Sequence, residues 1–266
     1  GHRSGMTALR SLLFNVFFYG WTALCVIVGL PLLLGPRKGI YVLGRVWAHP
    51  ILAALRLICG LKHQVRGREN LPEGAVLIAA KHQSAWDTII FSILLWDHSF
   101  VLKQELMRIP LFGLYLWRAG LIPVDRRGGA KALRKMVAAA RQVAAQGRPM
   151  VIFPEGTRVA PEQQRPYHPG VAALYGQLQV PVVPVALNSG LFWRRNSFWK
   201  LPGTITLEFL PQIPPGLKRK DFLARLEQAI EGRSRALAGA SSAALTGPEP
   251  ESAAESRIES KSPAQK

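Results

Sequence analysis

A histidine and an aspartate five positions apart, His82 and Asp87, are the first candidates for chemistry in this sequence. They lie in KHQSAWDT (81–88), between the apolar runs GAVLIAA (74–80) and TIIFSILLW (88–96). On one continuous helix, five residues rotate the side chain by about 500°, which leaves the two side chains about 140° apart. A His–Asp pair at this spacing therefore cannot meet on a helix.

A turn from a strand into a helix would bring the two side chains together. We expect GAVLIAA to form a buried strand, the chain to turn at 83–85, and Ser84 to cap a helix whose first turn contains Asp87. The carboxylate would then bind one imidazole nitrogen of His82 and leave the other nitrogen free as a base. From the spacing alone, the alternative is a loop histidine beside an aspartate that stabilises the helix dipole.

Two further polar clusters follow apolar segments. FPEGTR (153–158) comes after a predicted buried strand, and Arg158 is placed to bind an anion bidentately at the sheet edge where open α/β sheets bind ligands. The segment AGLIPVDRR (119–127) places Arg126 and Arg127 beside Asp125. The alternatives are a polar turn for the first cluster and a solvated ion pair for the second.

The elements that position these residues alternate between strand and helix patterns. Short apolar runs predict strands, and the segment 130–146 has the apolar spacing of a helix that Gly147 ends. This alternation predicts an α/β fold, with a mixed sheet flanked by helices. The predicted strands are 74–80, 99–103, 120–124, 149–153, 182–187 and 204–210, and further helices are expected at 88–96, at 171–177, and from a cap at Asp221 to about Leu237.

The N-terminal part predicts a pair of membrane-associated helices. From Ser11 to Gly35 no residue is charged, and 25 residues make a helix of about 37 Å, which is long enough to span a bilayer. The segment 46–61 contains His49, Pro50 and Arg56, which is typical of an amphipathic helix at the membrane interface. A hairpin dipping into one leaflet, turning near Gly35, is the alternative. We expect an anchor on the cytoplasmic side of the inner membrane, with the active site facing the cytoplasm.

Four regions follow from these patterns. Residues 1–5, GHRSG, are typical of a cloning remnant before Met6. We expect membrane-anchoring helices over 6–64 and an α/β domain over 65–237. The segment 238–266 is rich in Ala, Ser, Pro and Glu and has little to bury, so we expect it to be disordered.

The charge of the chain indicates an anionic partner. The formal net charge is +18, and the last 29 residues carry four Glu against three Lys or Arg, so the remaining chain holds +19. Phospholipid headgroups, a phosphorylated substrate and an acidic carrier protein all fit such an excess. Nucleic acid is not expected, because the sequence has no zinc-finger, RNP or helix-turn-helix signature. We expect no metal site, and a hydrolase of the G-x-S-x-G type is excluded by the absence of that motif.

The four motifs together resemble those of the glycerolipid acyltransferase family, and most closely those of the bacterial 1-acyl-sn-glycerol-3-phosphate acyltransferases. The motifs are H-x-x-x-x-D at 82–87, G-x-x-x-x-x-R at 120–126, FPEGTR at 153–158 and VPVVPV at 180–185. They occur in the order of the family, and the resemblance covers about residues 65 to 215. The expected product of such an enzyme is phosphatidic acid.

The resemblance implies a role for each matching residue. His82 would take the proton of the sn-2 hydroxyl of lysophosphatidic acid, and Asp87 would orient His82. The hydroxyl oxygen would attack the thioester of acyl-CoA or acyl-carrier protein, with no acyl-enzyme and no other cofactor. The remaining roles fall to three groups: the phosphate would be held by Lys103, Arg126 and Arg158, the glycerol end would be positioned by Glu155, Gly156 and Thr157, and Pro184 would line the acyl site.

One segment departs from the family pattern. Many relatives carry a lysine-rich F-K-x-G stretch after the third motif, where this chain has YHPG (167–170). His168 is either a weak substitute for that cation or a loop histidine. Two functional alternatives also remain at this stage: an acyltransferase for another lyso-lipid, such as lyso-ornithine lipid or a lysophospholipid, and a non-catalytic module that binds anionic lipid.

Overall fold

The computed structural model of the protein describes residues 2–246, in which a seven-stranded sheet is covered by helices on both faces. The strands are β1 Leu61–Arg66, β2 Leu77–Ala80, β3 Ser99–Lys103, β4 Ile122–Val124, β5 Met150–Ile152, β6 Val182–Leu187 and β7 Gly203–Phe209. The helices are α1 His2–Val28, α2 Arg37–Cys59, α3 Trp86–Leu94, α4 Phe112–Arg118, α5 Gly129–Ala145, α6 Pro169–Leu178 and α7 Arg219–Thr246.

The strands lie in the order β1-β7-β6-β2-β5-β3-β4. Strands β6 and β7 pair antiparallel, and the other neighbouring pairs are parallel. The predicted α/β fold with a mixed sheet is therefore confirmed. The predicted helix and strand segments of this domain all occur, with ends shifted by a few residues except at the end of the last helix.

The alternation of side chains along β2 divides the core into two layers. Ile78 and Ala80 pack in the layer that contains residues of α2 and α3. Leu77 and Ala79 pack in the layer that contains residues of α5, α6 and α7. Because successive side chains of a strand point to opposite faces, a central strand covered on both faces must be apolar at every position, as this one is.

Three predicted boundaries are wrong in the structure. The boundary at residue 65 falls inside β1, which begins at Leu61 and pairs with β7. Asp221 lies in the first turn of α7, which already begins at Arg219. This helix also extends to Thr246, so residues 238–246 are helical where disorder was expected. The rest of the expected disordered tail, 247–266, lies outside the described residues.

Packing explains why α7 continues beyond Leu237. The Leu237 side chain is buried in a small cluster with Ala186 and Leu210. One turn further, the Asn188 side-chain amide donates a hydrogen bond of 2.8 Å to the Ser241 hydroxyl. Tertiary contacts therefore reach further along this alanine-rich segment than its hydrophobicity indicated. The alanines also favour the helix by themselves, because alanine has the highest intrinsic helix propensity.

The N-terminal helices form an antiparallel pair joined by a 3₁₀ turn at Leu30–Leu34. The Trp21 indole donates to the backbone carbonyl of Trp47 at 3.0 Å, and the Trp47 indole donates to the Thr22 hydroxyl at 3.0 Å. The predicted turn near Gly35 is thus confirmed. The second helix is longer than predicted, because α2 begins at Arg37 and accommodates Pro50 in its interior.

Both N-terminal helices are long and apolar enough to cross a membrane, by length and composition, over Gly5–Val28 and Arg37–Cys59. Many large apolar side chains of the first helix are exposed on the protein surface, among them Leu13, Val16 and Ile27. An exposed apolar surface of this kind is typical of a membrane contact. The start of α1 at His2 shows that residues 2–5, interpreted as a remnant, continue the same helix.

Candidate active site

The predicted functional segments meet at one edge of the sheet. The HxxxxD turn follows β2, FPEGTR follows β5, Lys103 ends β3, and Arg126 follows β4. These four strands are parallel to one another, so their carboxyl ends lie side by side. This is the edge at which open α/β sheets bind their ligands.

His82 and Asp87 are in contact, as the strand-to-helix turn predicted. The distance between His82 Nδ1 and Asp87 Oδ2 is 3.0 Å. The helix α3 begins at Trp86, with Ala85 rather than Ser84 at its N-cap. The Ser84 hydroxyl instead accepts a hydrogen bond of 3.2 Å from the backbone N–H of Trp86. Trp86 itself is a core residue, with 1% of its surface exposed.

The Asp87 carboxylate is fully buried and held by further donors. Its Oδ2 atom accepts from the backbone N–H groups of Gln83 at 2.7 Å and Ser84 at 2.9 Å. Its Oδ1 atom accepts from the hydroxyl of Ser189 at 2.5 Å. The carboxylate is therefore fixed in the position from which it can orient the His82 ring.

Sequence reasoning did not identify Ser189. It lies in the segment NSG (188–190), directly after β6, which is the strand next to β2. Its position at the carboxyl end of a predicted strand was the available signal, because such ends meet at the same edge of the sheet.

The His82 ring is oriented toward a cavity. The contact with Asp87 occupies Nδ1 and fixes the tautomer in which Nε2 carries the lone pair, so Nε2 is the basic atom. The ring stacks on Phe153, with ring centroids 3.9 Å apart and planes 16° apart. The backbone carbonyl of His82 accepts a hydrogen bond of 2.8 Å from the N–H of Val159, which links the HxxxxD turn to the end of the FPEGTR segment.

The cavity beside His82 has a volume of about 490 Å³ and a largely apolar wall. One side of it is formed by α2, through Tyr41 and Trp47, and another by Phe100 and Leu102 of β3. A second cavity of about 410 Å³ adjoins it and shares part of its wall, including Phe153. The HxxxxD turn therefore opens into apolar space that reaches the N-terminal helices.

The three predicted phosphate ligands lie on the cavity wall together. Lys103, Arg126 and Arg158 all line it, and Lys103 also pairs with Glu105 at 3.4 Å. Desolvation is the main cause that lowers the pKa of Arg126 and of Arg158. Guanidinium groups stay charged despite such a shift, so the cavity keeps a concentration of positive charge.

Gly156 and Thr157 line the same cavity, as predicted. Gly156 has a φ of +67°, a left-handed conformation that favours glycine. A Cβ atom at this position would lie 2.5 Å from the His168 ring. The hydroxyl of Thr157 accepts a hydrogen bond of 3.3 Å from Arg195, a residue outside the four motifs.

His168 lies beside Gly156 and lines the second cavity. Desolvation, and then the charge of Arg126, lower the pKa of the His168 imidazole from its usual value. A histidine with a lowered pKa is neutral at neutral pH. This shift favours the loop histidine over a substitute cation.

Glu155 does not point toward a substrate, contrary to the role that the resemblance implied. Its side chain is buried, and its Oε1 atom is 2.5 Å from the ammonium nitrogen of Lys81. Its Oε2 atom accepts a hydrogen bond of 3.3 Å from the backbone N–H of His82. Glu155 thus supports the HxxxxD turn from within the protein. Burial raises its pKa to about 7, against the opposing effect of Lys81.

Pro184 also lies away from the cavity wall that was predicted for it. It is buried in the middle of β6, opposite Ala79 of β2, and its carbonyl accepts a hydrogen bond of 2.8 Å from Leu210. A residue enclosed by the sheet and by helices on both faces acts in packing. The VPVVPV segment therefore belongs to the core rather than to the acyl site.

The substitution Gly156→Ala is expected to lower the activity of the site more than Gly147→Ala does, because a left-handed alanine costs about 1–2 kcal/mol of stability at either position, whereas only the methyl group at 156 displaces the His168 ring. The control is Gly147→Ala, which has the same φ of +67° but no atom within 4 Å of its Cβ. Thermal melting and initial rates of both variants would separate the two effects. Equal losses of activity in both variants would contradict a special role of this contact.

Comparisons with known proteins agree with this geometry. A family model described as Acyltransferase matches residues 62–188. A 1-acyl-sn-glycerol-3-phosphate acyltransferase of Pseudomonas aeruginosa is 34% identical over 185 residues, which cover 70% of this chain and 72% of that protein. A 1-acyl-sn-glycerol-3-phosphate acyltransferase alpha of Ovis aries is 28% identical over 212 residues, covering 78% and 73%.

A solved structure shares the fold. The 1-acyl-sn-glycerophosphate (LPA) acyltransferase PlsC from Thermotoga maritima superposes with a TM-score of 0.70 at 19% sequence identity, covering 86% of this chain and 96% of that one. The sequence relatives and the HxxxxD geometry assign the chain to a smaller group of proteins than the fold alone does. The chain belongs to the family of the 1-acyl-sn-glycerol-3-phosphate acyltransferases.

Proposed function

We propose that this protein transfers a fatty acyl group from acyl-CoA or acyl-carrier protein to the sn-2 hydroxyl of 1-acyl-glycerol-3-phosphate, which gives phosphatidic acid. One observation carries the proposal. The Asp87-oriented ring of His82 faces a cavity that has an apolar wall from α2 and the guanidinium groups of Arg126 and Arg158. This combination fits an acceptor with a hydroxyl, an acyl chain and a phosphate.

The reaction needs one proton transfer in each direction. The Nε2 atom of His82 takes the proton of the acceptor hydroxyl while its oxygen attacks the thioester carbonyl of the donor. The tetrahedral intermediate then breaks its C–S bond, and the departing thiolate takes the proton back from the imidazolium. Asp87, buried beside Nδ1, stabilises the imidazolium between these steps.

The cations around the cavity support a phosphorylated acceptor. Lys103, Arg126 and Arg158 would bind the phosphate and hold the hydroxyl near His82. Positioning matters here because general base catalysis supplies about 10²–10⁴-fold, and alignment of the two substrates must supply much of the rest. Apart from the thioester donor, the scheme uses no cofactor and no metal.

The position of α2 supports delivery of the acceptor from a bilayer. Tyr41 and Trp47 of this apolar helix form part of the cavity wall, so the acyl chain of a membrane lipid would have a short path to His82. The excess of basic residues favours a surface of anionic lipid, at about 1 kcal/mol for each Lys or Arg near the headgroups. We place the protein on the cytoplasmic side of the inner membrane, where both thioester donors would reach it.

Transfer assays with purified protein would test this function. Labelled acyl-CoA and acyl-carrier protein would each be offered with lysophosphatidic acid, lysophosphatidylcholine, lyso-ornithine lipid and monoacylglycerol. We expect lysophosphatidic acid to be acylated with the highest kcat/KM. If another acceptor is preferred by tenfold or more, the substrate assignment is wrong, although the acyl transfer chemistry would stand.

A further inference from the structure

Arg195 is a cavity cation that none of the four motifs contains. It lies in the loop that follows β6, and it lines the same cavity as His82, Arg126 and Arg158. Its Nη1 atom donates a hydrogen bond of 3.3 Å to the hydroxyl of Thr157, the residue next to Arg158. The guanidinium group is thereby directed along the FPEGTR segment.

The loop that carries Arg195 is well fixed. Its ends are joined by a hydrogen bond of 2.9 Å from the N–H of Leu201 to the carbonyl of Phe192. Inside the loop, the buried ammonium group of Lys200 donates to the carbonyls of Ser197 at 3.1 Å and Phe198 at 2.9 Å. The backbone that carries Arg195 is therefore fixed by hydrogen bonds, although the Arg195 side chain itself is exposed.

The charge of Arg195 lacks a carboxylate partner. Among the ion pairs formed within residues 2–246, none involves Arg126, Arg158 or Arg195. The neighbouring Arg194, by contrast, pairs with Glu162 at 3.2 Å. Adjacent arginines of one loop thus have different surroundings.

Arg195 and Arg158 also repel each other. After desolvation, the charge of Arg195 is the next cause that lowers the pKa of Arg158, while Asp87 acts in the opposite direction. Like charges held close together destabilise one another unless an anion lies between them. A group with two or more negative oxygens would relieve this repulsion.

We propose that Arg195, together with Arg158, binds a phosphate group of a substrate and sets the affinity of the enzyme for it. The inference rests on the proposed function and deepens it by adding a ligand from outside the family motifs. A guanidinium fork matches two phosphate oxygens, and a phosphomonoester carries about −1.5 to −2 charge at pH 7. The phosphate belongs either to the acceptor or to the CoA or carrier-protein donor.

The test compares Arg195→Gln with Arg194→Gln. Initial rates would be measured first with lysophosphatidic acid varied at a fixed acyl-CoA concentration, and then with acyl-CoA varied at a fixed acceptor concentration. We expect Arg195→Gln to raise one KM about tenfold with kcat changed less than about threefold. The rise is limited because a charged hydrogen bond that is exposed to solvent contributes less binding free energy than a buried one. Arg194→Gln should leave both constants close to wild type.

The KM that rises identifies the source of the phosphate. A higher KM for lysophosphatidic acid assigns Arg195 to the acceptor, and a higher KM for acyl-CoA assigns it to the donor. Arg195→Lys keeps the charge but loses the fork, so its KM should lie between those of the wild type and Arg195→Gln. Melting curves of all variants in detergent would show that the fold is unchanged.

Two results would overturn this inference. One is an Arg195→Gln variant in which neither KM changes. The other is an Arg194→Gln variant with the same rise in KM, which would indicate a general effect of surface charge. The proposed function is judged separately, because it depends on which acceptor the wild type acylates, whereas this inference depends on the ratio between two arginine variants.

Discussion

The substitution His82→Ala is expected to lower kcat of acyl transfer by about 10²–10⁴-fold, which is the usual contribution of general acid–base catalysis. The ring that is lost carries the single basic nitrogen that the turn presents to the cavity, because Nδ1 is 3.0 Å from Asp87. KM for the acceptor should change little, since the cations that we propose bind the phosphate are untouched. Initial rates with labelled acyl-CoA and lysophosphatidic acid would measure both constants.

Asp87→Asn provides the matched variant for this prediction. An amide of the same size can no longer stabilise the imidazolium as a carboxylate does, so we expect a large loss of kcat with a smaller change in KM. Ser189→Ala removes only the 2.5 Å hydrogen bond to Oδ1 of Asp87, the oxygen that does not contact His82. The loss of kcat in this variant should therefore be smaller. The expected order of losses is therefore His82→Ala, then Asp87→Asn, then Ser189→Ala.

The opposite outcome has a clear meaning. If His82→Ala keeps transfer within threefold of wild type, His82 is not the base. If the wild type binds anionic vesicles but transfers no acyl group to any lyso-lipid, the interpretation as a non-catalytic lipid-binding module is favoured. In that case reversing basic charges of the surface, rather than changing His82, would abolish function.

The His82–Asp87 contact was predictable from sequence because helical geometry excluded the simpler arrangement. A spacing of five fails on a helix, so the pair needed the turn that the flanking apolar runs allowed. The same local patterns predicted that FPEGTR and Arg126 would follow strands and that Lys103 would end one. Since those strands proved to be parallel, their ends meet at one edge.

Side-chain direction was less predictable than position. Glu155 lies one residue before cavity-lining Gly156, yet its carboxylate turns inward to Lys81, the residue before His82. Pro184 lies in a strand that passes the site, but both faces of that strand are covered. A motif gives the position of a residue along the chain. The direction of its side chain depends instead on what packs against the strand or turn.

Long-range partners were not accessible from local patterns. Ser189 contacts Asp87 across 102 residues of sequence, and Glu231 contacts Lys81 across 150. The alternation of side chains along β2 does indicate that Lys81 needs an acidic partner. If Leu77 and Ala79 face α7, the next residue on that face is Lys81, and a buried cation there requires an acidic partner.

That buried cation leads to the second large prediction, which concerns stability. The Lys81 ammonium lies between two carboxylates, at 2.5 Å from Glu155 and 2.9 Å from Glu231 of α7. The hydroxyl of Tyr167 donates a further hydrogen bond of 3.0 Å to Glu231. The lysine and both glutamates have side chains at most 6% exposed, so solvent does not screen this cluster.

Lys81→Met should destabilise the protein by about 3–5 kcal/mol, because removing one partner of a buried ion pair leaves uncompensated buried charge. Methionine has a similar length, so the cavity left behind is small. The exposed Lys62 of β1 is the control, and Lys62→Met should change stability by less than about 0.5 kcal/mol. Denaturant unfolding of both variants in the same detergent would measure the difference.

The loss in Lys81→Met should depend on pH with a definite sign. Burial already raises the pKa of the Glu155 carboxyl to about 7, against the opposing charge of Lys81. Without the lysine this opposition is lost, so the folded-state pKa of Glu155 moves further above the unfolded value of about 4.3. The folded state then binds more protons than the unfolded state, so stability falls as pH rises above that value. The variant should be closer to wild type at pH 5 than at pH 8.

A second substitution separates charge from packing. Lys81→Met/Glu231→Gln removes one of the two stranded carboxylates, so it should be more stable at pH 8 than Lys81→Met alone, although it has lost one more native side chain. If the double variant is instead less stable than the single one at pH 8, Lys81 acts through packing and hydrogen bonds, and the electrostatic account of this cluster is wrong.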